Sequence, residues 1–425
     1  MNDGVVCLGT RIEVTKRLRL VYRGASKKEK GRVLDNFCEV TGLSRASARR
    51  YLTSDVAGNP GVFRIDYRTA RPTKYSAMSK KALERVWVLS GCQCGKYLAA
   101  SMRTLLEGLE THGELVVGRS GYSEGVRGEL LAMSASTIDR YLKESRQGLG
   151  LKGVSTTKPG ALLRNSITIR KAGDEIACEP GFFEMDTVAH CGPSLKGEFA
   201  RTLTLTDVNT GWIHLEALRN NARVHVLKAL DSAVAAIPYQ VQGLDCDNGS
   251  EFINREVVNW AGDLDLFFTR SRPYKKNDQA NVESKNNHVV RKYGFYYRYD
   301  TPQALKVLGQ LWEVVCLRMN LFTPTKKPIG WSQDSTGRRK RLYDTPATPL
   351  DRLLTSGTLS RTQIHELRQL RENTNPAELT RDILRYQNIL TGLAKTPTER
   401  LLTKVEQARE KRKTKLTTGI KTHAA

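Results

Sequence analysis

The chain has 425 residues and a formal charge of +24, with 68 Lys and Arg against 44 Asp and Glu. At roughly 150 residues per domain this length predicts about three domains. A composition of 39% hydrophobic and 26% charged residues excludes a wholly disordered chain. No stretch reaches the roughly 20 apolar residues of a membrane-spanning helix, and the opening MNDGVVCLGTRIEVTKR holds no apolar signal core. Neither a membrane partner nor secretion is therefore expected. The excess positive charge suits a polyanion, most often nucleic acid, although a basic surface kept for solubility fits the composition as well. Eight scattered cysteines outline no disulfide framework and fit a reducing cytoplasm. The close pair Cys92 and Cys94 lacks the second Cys/His pair that a structural zinc needs.

Residues 28–55 read as helix, turn, helix. Val33, Leu34, Phe37 and Val40 recur at helical spacing, Gly42 breaks the run, Leu43 packs the turn, and Ser44 caps a second helix. That second helix places Arg45, Ser47, Arg49 and Arg50 outward and Ala48 and Leu52 inward. A DNA-reading helix-turn-helix has this form, and so does a plain helical hairpin. Residues 57–78 are rich in Gly, Pro and Arg, and read as a linker. Arg64, Arg68, Arg71 and Lys74 are suited there to a phosphate backbone or a minor groove, or simply to solvent.

Residues 79–146 return to helical periodicity, with Leu83, Val86, Trp87 and Leu98 on one stripe. A second helix-turn-helix candidate, LLAMSASTIDRYLK, has Ser134 or Ser136 as cap. Thr137, Asp139, Arg140 and Lys143 face out, and Ile138, Tyr141 and Leu142 pack. GCQCGK at 91–96 lacks the length, the Ser/Thr after Lys and the preceding strand of a phosphate loop, so no ATP site is expected.

Beyond a Gly- and Lys-rich linker the pattern switches. GFFEMDTVAH, FARTLTLTDV and GWIHLEAL are strands, ARVHVLKALDSAVAAI is a helix, and YQVQGLDCD is a fourth strand. EFINREVVNWAG (helix), LDLFFTR (strand) and NDQANVESKNNHVVRKY (helix) follow. Three antiparallel strands, a helix, then alternating strands and helices is the order of an α/β ribonuclease-H-like fold. A helix over 301–320, a Pro-, Lys- and Arg-rich stretch after 323, helices at about 360–373 and 376–393, and a fraying basic segment at 404–421 complete the reading.

Three carboxylates stand out. Asp186 lies inside a strand with apolar Phe182, Phe183, Met185 and Val188 about it, where burying a charge is expensive unless it is paired or metal-bound. Asp247 ends the fourth strand before Asn248-Gly249, and Glu283 opens a later helix. Sixty residues separate the first two and 35 the second two. Hard oxygen ligands of this kind suit Mg²⁺, and two such ions about 3.5–4 Å apart hold the attacking and leaving oxygens of an in-line phosphoryl displacement. Singly, each acid fits a surface or cap position, and Glu184, Asp207 and Asp245 compete for the role.

DNGSEF at 247–252, followed by TRSRPYKKNDQANVESKN at 269–286, resembles the catalytic core of DDE transposases with a retroviral-integrase-type core, chiefly those of bacterial insertion sequences. EMDTVAHCG at 184–192 and LTLTDVNTGW at 203–212 extend the likeness. It covers about 180–330 closely, and reaches more loosely to LAMSASTIDRYL and to YDTPATPLDRLL at 343–354. The resemblance implies that Asp186, Asp247 and Glu283 are catalytic and metal-binding. Asp186 would bridge two Mg²⁺ (or Mn²⁺) ions, Asp247 would hold one and Glu283 the other. It further implies cleavage at element ends, joining of the freed 3′-hydroxyl to target DNA, no ATP, and a homo-oligomer on DNA in a cytoplasmic, nucleoid-associated setting.

The expected organisation follows. A helix-turn-helix DNA-binding unit spans 1–56, a basic linker 57–78, a second helical DNA-binding unit 79–150 and a linker 151–179. The ribonuclease-H-like integrase core spans 180–325, and a basic, mainly helical C-terminal region 326–425. The expected DNA contacts are Arg45, Arg49, Arg71, Arg140, Arg272, Tyr274, Lys275, Lys276, Lys285 and Lys292, with Arg270 beside them; each is also readable as a solvated charge. Trp212, Trp260 and Trp312 read as core. The alternatives are a DNA-binding regulator with a non-catalytic integrase-like core, and a ribonuclease-H-like nuclease without joining activity.

Overall fold

Helix-forming stretches punctuated by Ser caps and Gly stops build the first part of the chain, and β-branched strands build its centre. In this computed structural model the described residues are 8–54, 74–146, 168–170, 179–247, 249–271, 279–333, 337 and 339–418. The chain divides into two units, Met1–Lys74 and Tyr75–Ala425.

The first unit packs three helices, α1 (Leu8–Gly24), α2 (Lys27–Thr41) and α3 (Arg45–Thr53). Ser26 and Glu29 form a capping box that starts α2, and Gly42, at φ 67°, ends it in the left-handed conformation that glycine adopts without strain. The Ser44 hydroxyl accepts the Ser47 N–H and starts α3. Leu34 and Phe37 of α2 and Ala48 and Leu52 of α3 close on Tyr22 of α1. Val40, expected on the apolar stripe, is exposed, because α2 turns its buried face toward α1 as well as α3.

The second unit opens with α4 (Ala77–Leu89), α5 (Gly95–Thr111), α6 (Glu124–Ala132) and α7 (Ala135–Tyr141). Ser134 caps α7, and Ile138 and Leu142 are fully buried. Asp139 is partly exposed and already engaged. Its carboxylate accepts the Gly95 N–H at 2.7 Å and pairs with Arg146 at 2.6 Å, tying α7 to the start of α5.

The sheet has six strands: β1 (Thr168–Arg170), β2 (Phe182–Ala189), β3 (Arg201–Asp207), β4 (Ile213–Leu218), β5 (Gly243–Cys246) and β6 (Phe267–Ser271). Their order is β1-β6-β5-β2-β3-β4. β2, β3 and β4 are antiparallel, whereas β5 runs parallel to β2, β6 to β5 and β1 to β6. The helices are α8 (Arg223–Ala236), α9 (Arg255–Asp263), α10 (Ala280–Lys285), α11 (Arg291–Gly294) and α12 (Pro302–Phe322). This is the ribonuclease-H-like α/β architecture of an integrase core, with β1 added at one edge.

The region after the core is helical, with α13 (Pro349–Thr355), α14 (Arg361–Glu372) and α15 (Pro376–Thr418). It departs from expectation in two ways. The basic stretch after 323 folds as a hairpin of β7 (Pro328–Gln333) and β8 (Arg339–Tyr343), and α15 continues through Pro397 to Thr418 instead of fraying. α4–α7, the sheet and α13–α15 share one apolar core, with Leu105, Leu205 and Leu353 among its buried members. Buried Arg318 of α12 ties the ends together by donating to Leu89 O at 2.9 Å and Pro376 O at 2.9 Å. Among the described residues no helix is long and apolar enough to cross a membrane.

Candidate active site

β2 and β5 are neighbouring parallel strands, and the last paired residues are Met185 and Cys246. One register step further lie Asp186 and Asp247, side by side where β5 ends. In open α/β sheets the crevice beyond the carboxyl ends of parallel strands is where ligands bind. Asp186 Oδ1 accepts the Thr187 N–H and its Oδ2 accepts Asn286 Nδ2, both at 2.6 Å. Asp247 Oδ1 accepts the Gly249 N–H at 2.7 Å. Gly249 lets the turn approach both carboxylates: a Cβ there would stand 2.7 Å from Asp247 Oδ1 and 2.8 Å from Glu251 Oε2, and one of these side chains would have to shift.

The competing acids have other partners. Asp207 is buried, and accepts the N–H groups of Gly181 and Thr210 and the Tyr239 hydroxyl. Asp245 accepts the Thr269 hydroxyl at 2.7 Å and Gln279 Nε2 at 3.1 Å. Glu184 accepts the N–H groups of Asn281 and Val282 and the Asn281 side-chain amide, each at 2.9 Å. Glu184 and Asp245 are register partners on β2 and β5, so two buried carboxylates hold the first turn of α10. The expected caps Asn277 and Asp278 lie outside the described residues. The same α10 carries Glu283, which is exposed. Asn286 then opens a single π turn, Asn286–Val290, a distortion frequent at functional sites.

Burial, first, and then the facing Asp247 carboxylate push the Asp186 carboxyl up, with Glu251 and Glu283 adding to the effect. Burial also raises Asp247, against the Gly249 N–H and the Arg201 guanidinium, which favour its charged form. Asp186 is thus raised by both Asp247 and Glu283. Among the described residues no three His, Cys, Asp or Glu side chains are arranged to hold a metal ion. The donor set itself, carboxylates forced together, has the chemistry of a divalent-cation site.

The sequence profile of the integrase core domain matches residues 177–276. An uncharacterized protein of Sinorhizobium fredii, y4rM, is 36% identical over 349 residues, 82% of this chain and 96% of the relative. The chain belongs to the integrase core family. This places it among proteins of integrase- and transposase-type DNA recombination. Among solved structures, the catalytic core domain of BIV integrase is similar over 33% of this chain and 83% of its own length, at 16% identity and a TM-score of 0.26.

Three residues of the integrase core escaped the sequence reading. Arg201 pairs with Glu251 at 3.4 Å, and Thr187 donates to Glu251 at 2.9 Å and accepts from Arg201 at 3.0 Å. This cluster carries the Arg201 guanidinium, which favours the charged form of Asp247. Glu251 was visible inside the DNGSEF string, whereas Arg201 carried no signal.

The expected DNA contacts are placed unevenly. Arg71, Arg272, Tyr274, Lys275 and Lys276 lie outside the described residues, as does Asn248. Arg49 and Arg140 are exposed on α3 and α7. Arg45 is exposed but paired with Asp35. Arg270 is buried at the end of β6, so it cannot face a duplex. Lys285 is half-buried, and burial pulls its ammonium down to about 8. Lys292 donates to Gly91 O at 3.1 Å.

Proposed function

We propose that this protein is a transposase that binds the ends of its element and catalyses DNA strand cleavage and strand transfer. The observation that carries the reading is that Asp186 and Asp247 each follow the last register pair of the parallel strands β2 and β5, Met185 and Cys246, with the α10 helix of Glu283 fastened to those same strands by Glu184 and Asp245.

Asp186, Asp247 and Glu283 are assigned as the groups that would hold one or two Mg²⁺ ions. Such ions, when bound, activate the attacking oxygen and stabilise the leaving oxygen. Asn286 fixes the Asp186 carboxylate through its amide, and the Gly249 N–H fixes Asp247. In the first step a water oxygen bonds to the phosphorus at the element end while the bond to the 3′ oxygen breaks, leaving a 3′-hydroxyl. In the second, that hydroxyl oxygen bonds to a target phosphorus, and a target 3′ oxygen leaves. The joining step forms one phosphodiester bond for each one broken, so it needs no ATP. End recognition is assigned to α3 and α7, with Arg49 and Arg140 as the exposed reading or phosphate groups.

The test uses purified full-length protein, labelled element-end duplex and Mg²⁺. End-specific nicking and joining, abolished in Glu283→Gln, is the expected result. Specific duplex binding with no nicking under any divalent metal would favour the regulator reading instead, and nicking without joining would favour a nuclease.

A further inference from the structure

A groove of about 2440 Å³ runs between the loop after β2, the segment after α11 and one face of α15. Its size exceeds the 300–1,000 Å³ of ordinary small-molecule pockets, so it suits a chain-like occupant. One of its lining residues, Asn287, donates its side-chain N–H at 3.3 Å to the carbonyl of Glu283, one turn earlier in the chain.

Two observations on the lining point to nucleic acid. The first is charge. Eight lining residues are Lys or Arg against two acids, Asp300 and Glu399; Arg298, Arg318 and Lys292 already donate to backbone carbonyls, and Asp300 is paired with Arg298 at 2.7 Å. Arg400 and Lys404 stand exposed on the α15 wall. The second is aromatic. Tyr296 is exposed, with the Arg291 guanidinium 5.0 Å from its ring centroid. Phe295 and Tyr297 form an edge pair with centroids 5.9 Å apart. Phe295 holds φ at 56° and ψ at −164°, a backbone region that a bulky residue rarely enters and that persists where surroundings enforce it. The strain lies where the chain leaves α11 and lays three successive aromatics along the groove.

We propose that this groove holds unpaired nucleotides of the DNA on which the enzyme acts, with Tyr296 as stacking platform and Arg400 and Lys404 on the phosphates. The proposal rests on the reading of the protein as a DNA strand-transferring enzyme and adds a single-strand subsite to it. Aromatic faces with flanking cations bind single strands without sequence preference, because every base offers a π face.

The test is fluorescence anisotropy of full-length protein, without Mg²⁺, on a labelled 15-nucleotide strand and on its duplex. Tyr296→Ala is expected to weaken strand binding about tenfold, near the worth of one base–aromatic stack. Tyr296→Phe restores it, and duplex affinity stays within about twofold. The paired Arg400→Ala and Lys404→Ala substitutions lower the salt slope for the strand by about 1.4, the value for two released counterions. A 5-bromouracil strand is expected to crosslink to the peptide carrying Tyr296. Unchanged strand affinity in Tyr296→Ala, equal losses on strand and duplex, or crosslinks only elsewhere would overturn the proposal. Since no cleavage is measured, failure here leaves the transposase reading standing. A protein that binds the strand as described but never nicks DNA would retain the groove and lose that reading.

Discussion

Glu184, in the middle of β2, accepts the backbone N–H of Val282 at 2.9 Å, across 98 positions of chain. Asp186 is two residues further along that strand, and Glu283 is the residue after Val282. One short strand therefore carries both a proposed catalytic acid and the clamp for the helix that brings another. A charged acceptor on two N–H groups of a helix start is favoured by the helix dipole as well as by the bonds themselves.

Glu184→Gln keeps the shape and removes the charge. Strand-transfer rate is expected to fall roughly 10–100-fold, as when groups that orient catalytic ligands are lost, while the affinity for element-end duplex is unchanged. A purely structural role would instead lower both in step with the folded fraction. Measuring kcat and KM for Glu184→Gln and Glu184→Asp separates the two, since the shorter acid retains the charge.

The raised Asp186 carboxyl makes a pH prediction for metal-free protein. A carboxyl whose folded value lies above its unfolded one binds more protons when folded, so its contribution to stability is lost as pH rises above about 4 towards the raised value. Asp186→Asn removes this loss. At pH 8 without divalent metal it is expected to melt higher than the parent by roughly 2–4 °C, the shift that accompanies about 1 kcal/mol. Mg²⁺ should then raise the parent alone, by binding only where the acids are intact. Thermal melts at pH 5 and pH 8, with and without Mg²⁺, check both; a parent melting higher than Asp186→Asn at pH 8 without metal contradicts the prediction.

Much of this core was legible because its signals are local. The strand over 182–189 and the Asn-Gly turn after Asp247 are written in adjacent residues. What separates Asp186 from Glu184 is not local. Both lie on one face of one strand, and only partners about 100 positions away show which acid is a clamp. Arg201 was invisible for the same reason, as its meaning comes from Glu251 across the site. The π turn at Asn286–Val290 escaped because one inserted residue barely disturbs a helical pattern read over a short span. The β7–β8 hairpin was hidden by its own charge: RRKRLY reads as part of a Pro-, Lys- and Arg-rich stretch, and the turn signal, DSTG at 334–337 with Gly337 at φ 81°, is short.

Arg49 and Arg45 sit one turn apart on α3, yet they are expected to differ. Arg45 is engaged by Asp35, so its side chain is partly neutralised before DNA arrives. Arg49→Ala should weaken duplex binding and lower the salt slope by about 0.9, the signature of one lost phosphate contact on duplex DNA. Arg45→Ala should change the slope by less. Titrations at four salt concentrations resolve the difference, and equal slopes for the two variants would refute it.

Arg318 makes the last prediction. Its guanidinium is buried where α4 ends, α12 passes and α15 begins, and it donates to Leu89 O, Pro376 O and the Thr380 hydroxyl. Leu89 O keeps a second donor in Thr380, at 2.7 Å. Arg318→Ala deletes the charge and its bonds together and leaves a void beside them. Removing a buried cation that donates to three acceptors costs about 3–5 kcal/mol, even though its Nε has no partner among the described residues. The expected result is a melting temperature lower by roughly 5–10 °C, with the loss confined to the unit holding the integrase core. Duplex binding through α3 belongs to the separate first unit, and should survive at temperatures where strand transfer is already gone. Loss of both functions at the same temperature would show instead that the two units unfold as one.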